Sequence, residues 1–259
     1  MEAPENQLPH DFLFIFDQIL PGPLKEFVQK ATGMSSSNDD EKILSYNDVV
    51  LRKSDLDILQ GPSYLNDRII EFYFSYLSST CPSEDILLVP PSISFWITNC
   101  IDTSSLKDFV EPLQFASKKI IIFTVNDNND VTVAEGGNHW SLLALDRNKN
   151  AFVHHDSMKG LNRWHAEKLS KNLKMFVGLP DSSPATQFVE CSTPQQRNGY
   201  DCGVYVLAIA RVICNWHVSG VEDKGNSWLD GLGEQVDESA VTRLRDDILK
   251  LILDLMKKK

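Results

Sequence analysis

The sequence predicts an α+β fold in which a central mixed sheet is flanked by helices. The run Ile120 to Val125 is apolar, β-rich and bounded by turn residues, which is typical of a buried strand. Residues 139–157 contain two apolar runs joined by a short polar turn, which predicts a β-hairpin. The apolar stretch Val204 to Cys214 is typical of a buried helix.

The predicted hairpin is apolar on both of its faces. If the polar turn 146–150 is symmetric, Leu143 and Phe152 share one face and Leu142 and Val153 share the other. A sheet with two apolar faces has to be covered on both, so we expect helices on both sides of it.

The remaining helices are predicted from apolar periodicity and from helix start and stop residues. They are Leu65 to about Leu77, about Ser92 to Asn99, about Arg163 to Phe176, and a terminal helix with the apolar face Val241, Leu244, Ile248, Leu251, Ile252 and Leu255. The segment Trp216 to Val236 is predicted to be rich in loops.

The chain is predicted to contain one main domain, residues 41–259, behind an N-terminal extension and linker, residues 1–40. Four prolines interrupt the extension, and its last part, Ser35 to Asp40, has the composition of a flexible linker. A short helix is predicted within it at Leu24 to Ala31.

Composition and charge exclude several classes of function. A formal net charge of −11 argues against nucleic acid or an anionic membrane as a partner, since both are bound by basic patches. No apolar run approaches the roughly 18 residues that a membrane span needs. Five cysteines without CxxC spacing argue against a disulfide framework or a zinc site and fit the reducing cytoplasm and nucleus. We predict a monomer without metal or cofactor.

Cys202 is a candidate nucleophile because it lies where a helix is predicted to start. Unpaired N–H groups and the positive end of the helix dipole favour an anion there, and the thiolate is the form of cysteine that attacks carbonyl carbons. Cysteine is also among the most buried residue types and usually serves only in packing. The assignment therefore depends on a base. Cys81, Cys100, Cys191 and Cys214 lack such surroundings and are predicted to be packing or surface thiols.

His139 and Asp156 are the candidate base and its orienting carboxylate. With the hairpin turn centred between Arg147 and Asn148, His139 lies directly opposite Asp156, close enough for the imidazole to donate a hydrogen bond to the carboxylate. Asp156 would then fix the tautomer of His139 and stabilise the imidazolium, while the other ring nitrogen takes the proton of Cys202. Without the cysteine, a core histidine and a strand-end cap would be the preferred interpretation.

Two glutamines are candidates for an oxyanion hole. Gln196 lies six residues before Cys202 in a segment rich in turn-forming residues, where its side-chain N–H groups can point at the carbonyl oxygen under attack, beside the backbone N–H of Cys202. Gln195 could do the same, and spacing alone does not separate the two.

These residues resemble the Ulp/sentrin-protease family of cysteine isopeptidases, which process ubiquitin-like modifiers. The resemblance is carried by His139-Trp140, by Asp156 seventeen residues later, by the PQQRNGYDCG string that contains Gln196 and Cys202, and by Leu65-Asn66-Asp67, which is similar to the family's substrate-cradling motif. It covers about Lys42 to Leu255. It implies the Ulp-type cysteine protease fold, a catalytic domain at residues 41–259, and the oxyanion role for Gln196 rather than Gln195.

Within this family the chain resembles the deneddylase branch, which acts on the RUB/Nedd-type modifier, and plant deneddylases in particular. Tyr200 before Asp201-Cys202 and the Gly136-Gly137 pair before His139 are among the residues that carry this similarity. It implies a thiol isopeptidase that cleaves after the modifier's C-terminal diglycine, for precursor maturation or for deconjugation. The modifier and its protein conjugates are then the partners.

The resemblance also implies substrate contacts. Asn66 and Asp67 belong to the cradling motif, and Asp67 is expected to pair with an arginine near the modifier's diglycine. Trp140 is expected to line a tunnel that admits only glycine. Tyr64 stands where the family usually has a tryptophan that lids the diglycine tail. The alternatives are that Asp67 caps the following helix and that Tyr64 is an ordinary loop aromatic.

Other functions remain compatible with parts of the pattern. A SUMO-specific protease would use the same triad. A thiol acyltransferase of the same fold shares the triad order, but it needs a coenzyme A pocket with basic residues. A non-catalytic modifier-binding module is hard to reconcile with a complete set of catalytic side chains.

Overall fold

The structure is a computed structural model that describes residues 40–100, 106–131, 133, 136–177, 186–220 and 227–258. The predicted extension, including the short helix at Leu24 to Ala31, lies outside these residues except for Asp40. The carboxylate of Asp40 accepts hydrogen bonds from the backbone N–H and the hydroxyl of Ser54, so the folded part of the chain already includes it.

A five-stranded mixed sheet lies at the centre. Its strands, in spatial order, are β3 (Ile86–Leu88), β4 (Ile120–Asn126), β5 (Trp140–Asp146), β6 (Ala151–His155) and β7 (Gln187–Glu190). The two outer pairs, β3 with β4 and β6 with β7, are parallel, whereas β4, β5 and β6 run antiparallel to one another. A separate antiparallel hairpin is formed by β1 (Lys42–Tyr46) and β2 (Val49–Arg52).

Helices surround the sheet. They are α1 (Lys53–Gln60), α2 (Asp67–Thr80), α3 (Pro91–Asn99), α4 (Lys107–Val110), α5 (Arg163–Leu173), α6 (Cys202–Val218), α7 (Leu232–Gln235) and α8 (Glu238–Lys257), with 3₁₀ turns at Glu111–Leu113 and Phe115–Ser117. The predicted loop-rich segment 216–236 begins inside α6 and contains α7, and its residues 221–226 lie outside the described part.

The two faces of the sheet build two separate cores, which confirms the predicted fold class. Leu142 and Val153 pack into the core shared with α2, α6 and α8. Leu143 and Phe152 pack into the core shared with α3 and α5. The alternation of strand side chains therefore divides one hairpin between two helical layers.

The hairpin register differs from the predicted one by two residues. Leu145, and not Leu143, lies opposite Phe152, so the turn is centred between Asn148 and Lys149. Asn150, the last residue of the observed turn 147–150, adopts a positive φ of 47°. Because strand side chains alternate with a period of two, this shift moves every pair along the strand but leaves each side chain on its predicted face.

Candidate active site

Cys202, His139 and Asp156 come together at one end of the central sheet. His139 directly precedes β5, Asp156 directly follows β6, and Cys202 is the first residue of α6. Their side chains are almost fully shielded from solvent, with 0%, 1% and 2% of the residue exposed for Cys202, His139 and Asp156. Charges placed there interact more strongly than they would in water.

The contact between His139 and Asp156 is made diagonally across the hairpin. The predicted direct opposition of the two residues is wrong, because the observed register is shifted by two residues. Both residues lie just beyond the paired ends of their strands. Diagonal neighbours on one face remain within reach of long side chains. The Nε2 of His139 lies 2.6 Å from Oδ1 of Asp156.

Asp156 is held as an ionised carboxylate by several donors. Its oxygens accept the histidine N–H, the backbone N–H of Met158 at 2.8 Å and that of Asn162 at 3.0 Å. Burial alone would raise the pKa of Asp156, but these hydrogen bonds and the charge of His139 lower it below its ordinary value.

Asn162 positions both His139 and Asp156 and was not predicted from the sequence. Its side-chain amide donates to the backbone carbonyls of His139 and Val125, each at 3.1 Å, while its backbone N–H binds Asp156. In the sequence, the only indication of a role for Asn162 is its place directly before a predicted helix, where asparagine commonly caps the helix N-terminus. Here its side chain instead connects β4 to the catalytic histidine.

The loop before β5 adds a second restraint on His139. Asp127 accepts the backbone N–H groups of Asn138 and His139. Gly137 makes this approach possible: it has a φ of +88°, and a Cβ there would lie 2.0 Å from Oδ1 of Asn126. Glycine is required at this position both for its backbone conformation and for space.

The environment of His139 favours the imidazolium form. Burial on its own would lower the pKa of His139, but the hydrogen bond to Asp156 and the proximity of Asp156 and Cys202 raise it to about 9. Since Nε2 is bound to Asp156, Nδ1 is the ring nitrogen that can take the thiol proton. Among the described residues Nδ1 has no well-aligned hydrogen-bond partner, and such contacts commonly tighten when substrate binds.

The start of α6 is arranged to receive negative charge. Asp201 occupies the N-cap position, yet its side chain accepts no hydrogen bond from the first turn of the helix. Gly203 allows this end of the helix to press against Leu65, because a Cβ on Gly203 would lie 2.9 Å from that of Leu65. The thiol therefore lies beside the predicted substrate-cradling segment.

The hydrogen bonds of the two glutamines differ. The amide of Gln195 donates to the carbonyls of Asp156 at 3.0 Å and Thr193 at 2.8 Å, and its oxygen accepts the backbone N–H of Lys159. Both of its N–H groups are therefore committed. The amide of Gln196 donates at 2.8 Å to the carbonyl of Asn198. Among the described residues its second N–H has no hydrogen-bond partner.

The segment Tyr64–Asp67 is joined directly to the histidine strand. The indole N–H of Trp140 donates to the carbonyl of Leu65 at 2.9 Å, and the indole is buried. Tyr64 is 48% exposed beside this contact, which leaves its ring free to meet a ligand.

Asn66, and not Asp67, caps helix α2. Its Oδ1 accepts the backbone N–H of Ile69 at 3.1 Å, while its amide donates to the buried carboxylate of Asp55 at 2.7 Å. The capping alternative for Asp67 is therefore wrong, and Asp67 is a half-buried residue of the first helical turn. Asn66 holds the segment in place, because its oxygen and its amide are both bound within the protein.

The five cysteines are all free thiols. Burial raises the pKa of Cys214 to about 12, so this thiol stays protonated.

His154 and His155 point to opposite faces of β6, where His154 binds Glu190 and His155 lies beside Trp228. Over the described residues, no group of three or more His, Cys, Asp or Glu side chains could hold a metal ion. No helix in that part of the chain is both long and apolar enough to cross a membrane.

A buried thiol at a helix start, an imidazole and an orienting carboxylate define the cysteine-peptidase class of sites. Comparison with known proteins agrees. The Ulp1 protease family, C-terminal catalytic domain, matches residues 63–246. NEDD8-specific protease 1 of Arabidopsis thaliana is 54% identical over 225 residues, which cover 86% of this chain and 97% of that protein. Human sentrin-specific protease 8 is 37% identical over 179 residues, covering 68% and 82% of the two chains.

The fold is likewise that of a solved protease. The C-terminal Ulp1 protease domain, in complex with Smt3, the yeast ortholog of SUMO, superposes with a TM-score of 0.60 at 21% identity, covering 91% of this chain and 96% of that domain. The chain belongs to the Ulp1 protease family and is a cysteine-type peptidase. The predicted family resemblance is confirmed.

Proposed function

We propose that the protein is a deneddylase, a thiol isopeptidase that cleaves after the C-terminal diglycine of a RUB/Nedd-type ubiquitin-like modifier. The observation that carries the proposal is the assembly of Cys202, His139 and Asp156 next to a Tyr64–Asp67 segment that is hydrogen-bonded to Trp140. Identity of 54% to a NEDD8-specific protease over nearly its whole length supports this choice of modifier over SUMO.

The chemistry follows from the geometry. Cys202 gives its proton to Nδ1 of His139, and the thiolate attacks the carbonyl carbon of the modifier's last glycine. The oxyanion is stabilised by the backbone N–H of Cys202 and by the side-chain N–H of Gln196. The imidazolium then protonates the leaving amine, so that the C–N bond breaks and a thioester remains on Cys202. Water, deprotonated by His139, hydrolyses the thioester and restores the thiol.

Gln196 is the better candidate for the oxyanion role. Gln195 has both side-chain N–H groups bound to backbone carbonyls, one of which belongs to Asp156. Gln195 instead fastens the loop before Cys202 to the backbone of Asp156. The bond of Gln196 to Asn198 leaves one amide N–H for a substrate oxygen.

The tail of the modifier is proposed to pass between Tyr64 and Trp140. The buried indole forms one wall and is fixed by Leu65, and the exposed phenol of Tyr64 closes over the diglycine in place of the usual tryptophan. The enzyme is proposed to act as a monomer on precursors, on conjugates or on both, in the reducing cytoplasm and nucleus, where its thiol stays reduced.

Asp67→Ala is expected to raise KM for the RUB/Nedd-type precursor by at least about tenfold, because loss of one partner from a desolvated charge pair typically costs about 2–5 kcal/mol. Steady-state kinetics with RUB/Nedd-type, SUMO and ubiquitin precursors measure the KM of Asp67→Ala. The same experiment shows which precursor the wild-type enzyme prefers. Asp246→Ala, which removes an exposed carboxylate from α8, is the charge-matched control and should leave KM unchanged.

Preference of the wild-type enzyme for SUMO precursors would contradict the deneddylase proposal while leaving the peptidase chemistry intact. An unchanged KM in Asp67→Ala, with α2 still folded by circular dichroism, would remove Asp67 from the tail contact. A weak and strongly salt-dependent effect would place the pair at the exposed rim of the interface, where screening is large.

A further inference from the structure

We propose that Arg245 is a positioning residue for cleavage: it keeps the Asp201 carboxylate away from the N-terminus of α6 and fastens the turn that precedes the Tyr64–Asp67 segment. This inference rests on the proposed attack by Cys202. Arg245 lies on α8 and is 7% exposed.

The guanidinium makes four hydrogen bonds and one close ion pair. Nε donates to Oδ1 of Asp201 at 2.9 Å, and Nη2 forms an ion pair with the same oxygen at 2.8 Å. Nη2 also donates to the carbonyl of Ser63 at 2.9 Å, and Nη1 donates to the carbonyls of Ile58 at 3.0 Å and Gly61 at 3.4 Å. A planar fork with five donors satisfies these acceptors together, whereas a lysine ammonium offers three donors from one point.

The first consequence concerns Asp201, the residue directly before the nucleophile. An aspartate at an N-cap ordinarily accepts N–H groups of the first helical turn, but this carboxylate does not. Its Oδ1 is taken by Arg245, and its Oδ2 accepts the amide of Asn198 at 2.7 Å. The N–H groups at the start of α6 are therefore not occupied by their own cap.

A freed Asp201 carboxylate would interfere with the reaction in two ways. It would turn to the helix terminus and compete with the substrate oxyanion for the backbone N–H groups there. It would also place an uncompensated negative charge beside the developing thiolate. The guanidinium prevents both, because it neutralises the carboxylate and fixes its direction.

The second consequence concerns the tail-binding segment. The carbonyls of Ile58, Gly61 and Ser63 belong to the end of α1 and the turn that follows it, and Tyr64 comes directly after this turn. One side chain therefore links the helix that carries the thiol to the segment that would carry the modifier's tail. Displacement of about 1 Å between reacting groups is enough to slow catalysis about a hundredfold.

A purely structural ion pair would have the same contacts, so the test has to report on the thiol in folded protein. We propose to measure alkylation of Cys202 by iodoacetamide, with the alkylated cysteine identified by peptide mass mapping, at a temperature where circular dichroism shows each variant to be folded. Iodoacetamide requires no modifier, so the outcome is independent of which modifier the enzyme cleaves.

Arg245→Met is expected to slow alkylation of Cys202 by about tenfold, the scale of a charge at a helix terminus. Arg243→Met, two residues away on the same helix, removes an exposed arginine that contacts Ser239 and should leave the rate unchanged. The double variant Asp201→Ala/Arg245→Met should recover most of the lost rate, because no carboxylate remains to cap the helix.

A wild-type alkylation rate in folded Arg245→Met would overturn the proposal. Absence of recovery in the double variant would overturn the role assigned to Asp201. If Arg245→Met does not fold, Arg245→Lys keeps the charge but loses the fork, and an unchanged rate in that variant would equally contradict the proposal. If the deneddylase assignment is wrong, the wild-type enzyme will not cleave the RUB/Nedd-type precursor. Cys202 will nevertheless be alkylated slowly in Arg245→Met, so the two failures are distinguishable.

Discussion

Cys202→Ala is expected to abolish cleavage and to leave binding of the modifier largely intact. The sulfur is the entire nucleophile but a small part of the contact surface, so its loss removes the thioester route and little else. Loss of the nucleophile in a triad enzyme lowers kcat by about a million-fold. Single-turnover cleavage of the precursor, together with a binding measurement on the same variant, separates the two effects.

Cys191→Ala and Cys214→Ala are the matched controls for this prediction. Burial raises the pKa of both thiols, which keeps them protonated and unreactive. Their variants should retain a kcat near that of the wild type. Turnover that survives in Cys202→Ala would refute the proposed mechanism.

Asp156→Asn is expected to preserve the fold and to lower kcat by about ten-thousand-fold, as loss of the orienting carboxylate does in related triads. The amide cannot stabilise the imidazolium, and its N–H can hold the histidine in the wrong tautomer. Asp254→Asn, which changes a surface residue of α8, should be neutral. A small loss of rate in a folded Asp156→Asn variant would show that His139 does not depend on this carboxylate.

The same substitution should change the pH dependence of kcat/KM. Hydrogen bonding to Asp156 and its charge contribute to the raised pKa of His139, about 9, which holds the imidazolium up to that pH. Removal of the carboxylate lowers this pKa, so the alkaline limb of the profile should move to lower pH in Asp156→Asn. An alkaline limb at the same pH in Asp156→Asn and in the wild type would contradict the assignment of His139.

The triad could be predicted from sequence because two of its members flank one hairpin and the third opens an apolar helix. The predicted register was wrong by two residues, yet His139 and Asp156 kept their common face because the shift was even. The local sequence pattern therefore identifies His139 and Asp156. The conformation of the turn, which includes the positive φ of Asn150, determines that their side chains meet diagonally.

The supporting residues could not be predicted in the same way. Arg245 is separated from Asp201 by 44 residues and from Ser63 by 182, and no spacing rule connects them. Asn162 gave a weak signal as a residue before a helix, but its contacts to β4 depend on tertiary packing. The two glutamines became distinguishable only once their hydrogen-bond partners were known.

Several short elements also escaped the sequence patterns. Strand β3 has three residues and β7 has four, which is too few to define an alternation. Both pair in parallel with a distant strand, so their existence depends on β4 and β6 and not on a local turn. β7 alternates exposed and half-buried residues, so it also lacks the continuous apolar run that predicts the strand Ile120 to Val125.

The most direct test of the account is covalent labelling of the purified wild-type protein by a panel of probes. The probes carry an electrophile in place of the C-terminal carboxylate of a RUB/Nedd-type modifier, SUMO or ubiquitin, and mass mapping identifies the cysteine that reacts. We expect rapid attachment of the RUB/Nedd-type probe to Cys202 and much slower attachment of the other two. Preferential attachment of SUMO or ubiquitin, or an adduct on a cysteine other than Cys202, would contradict it.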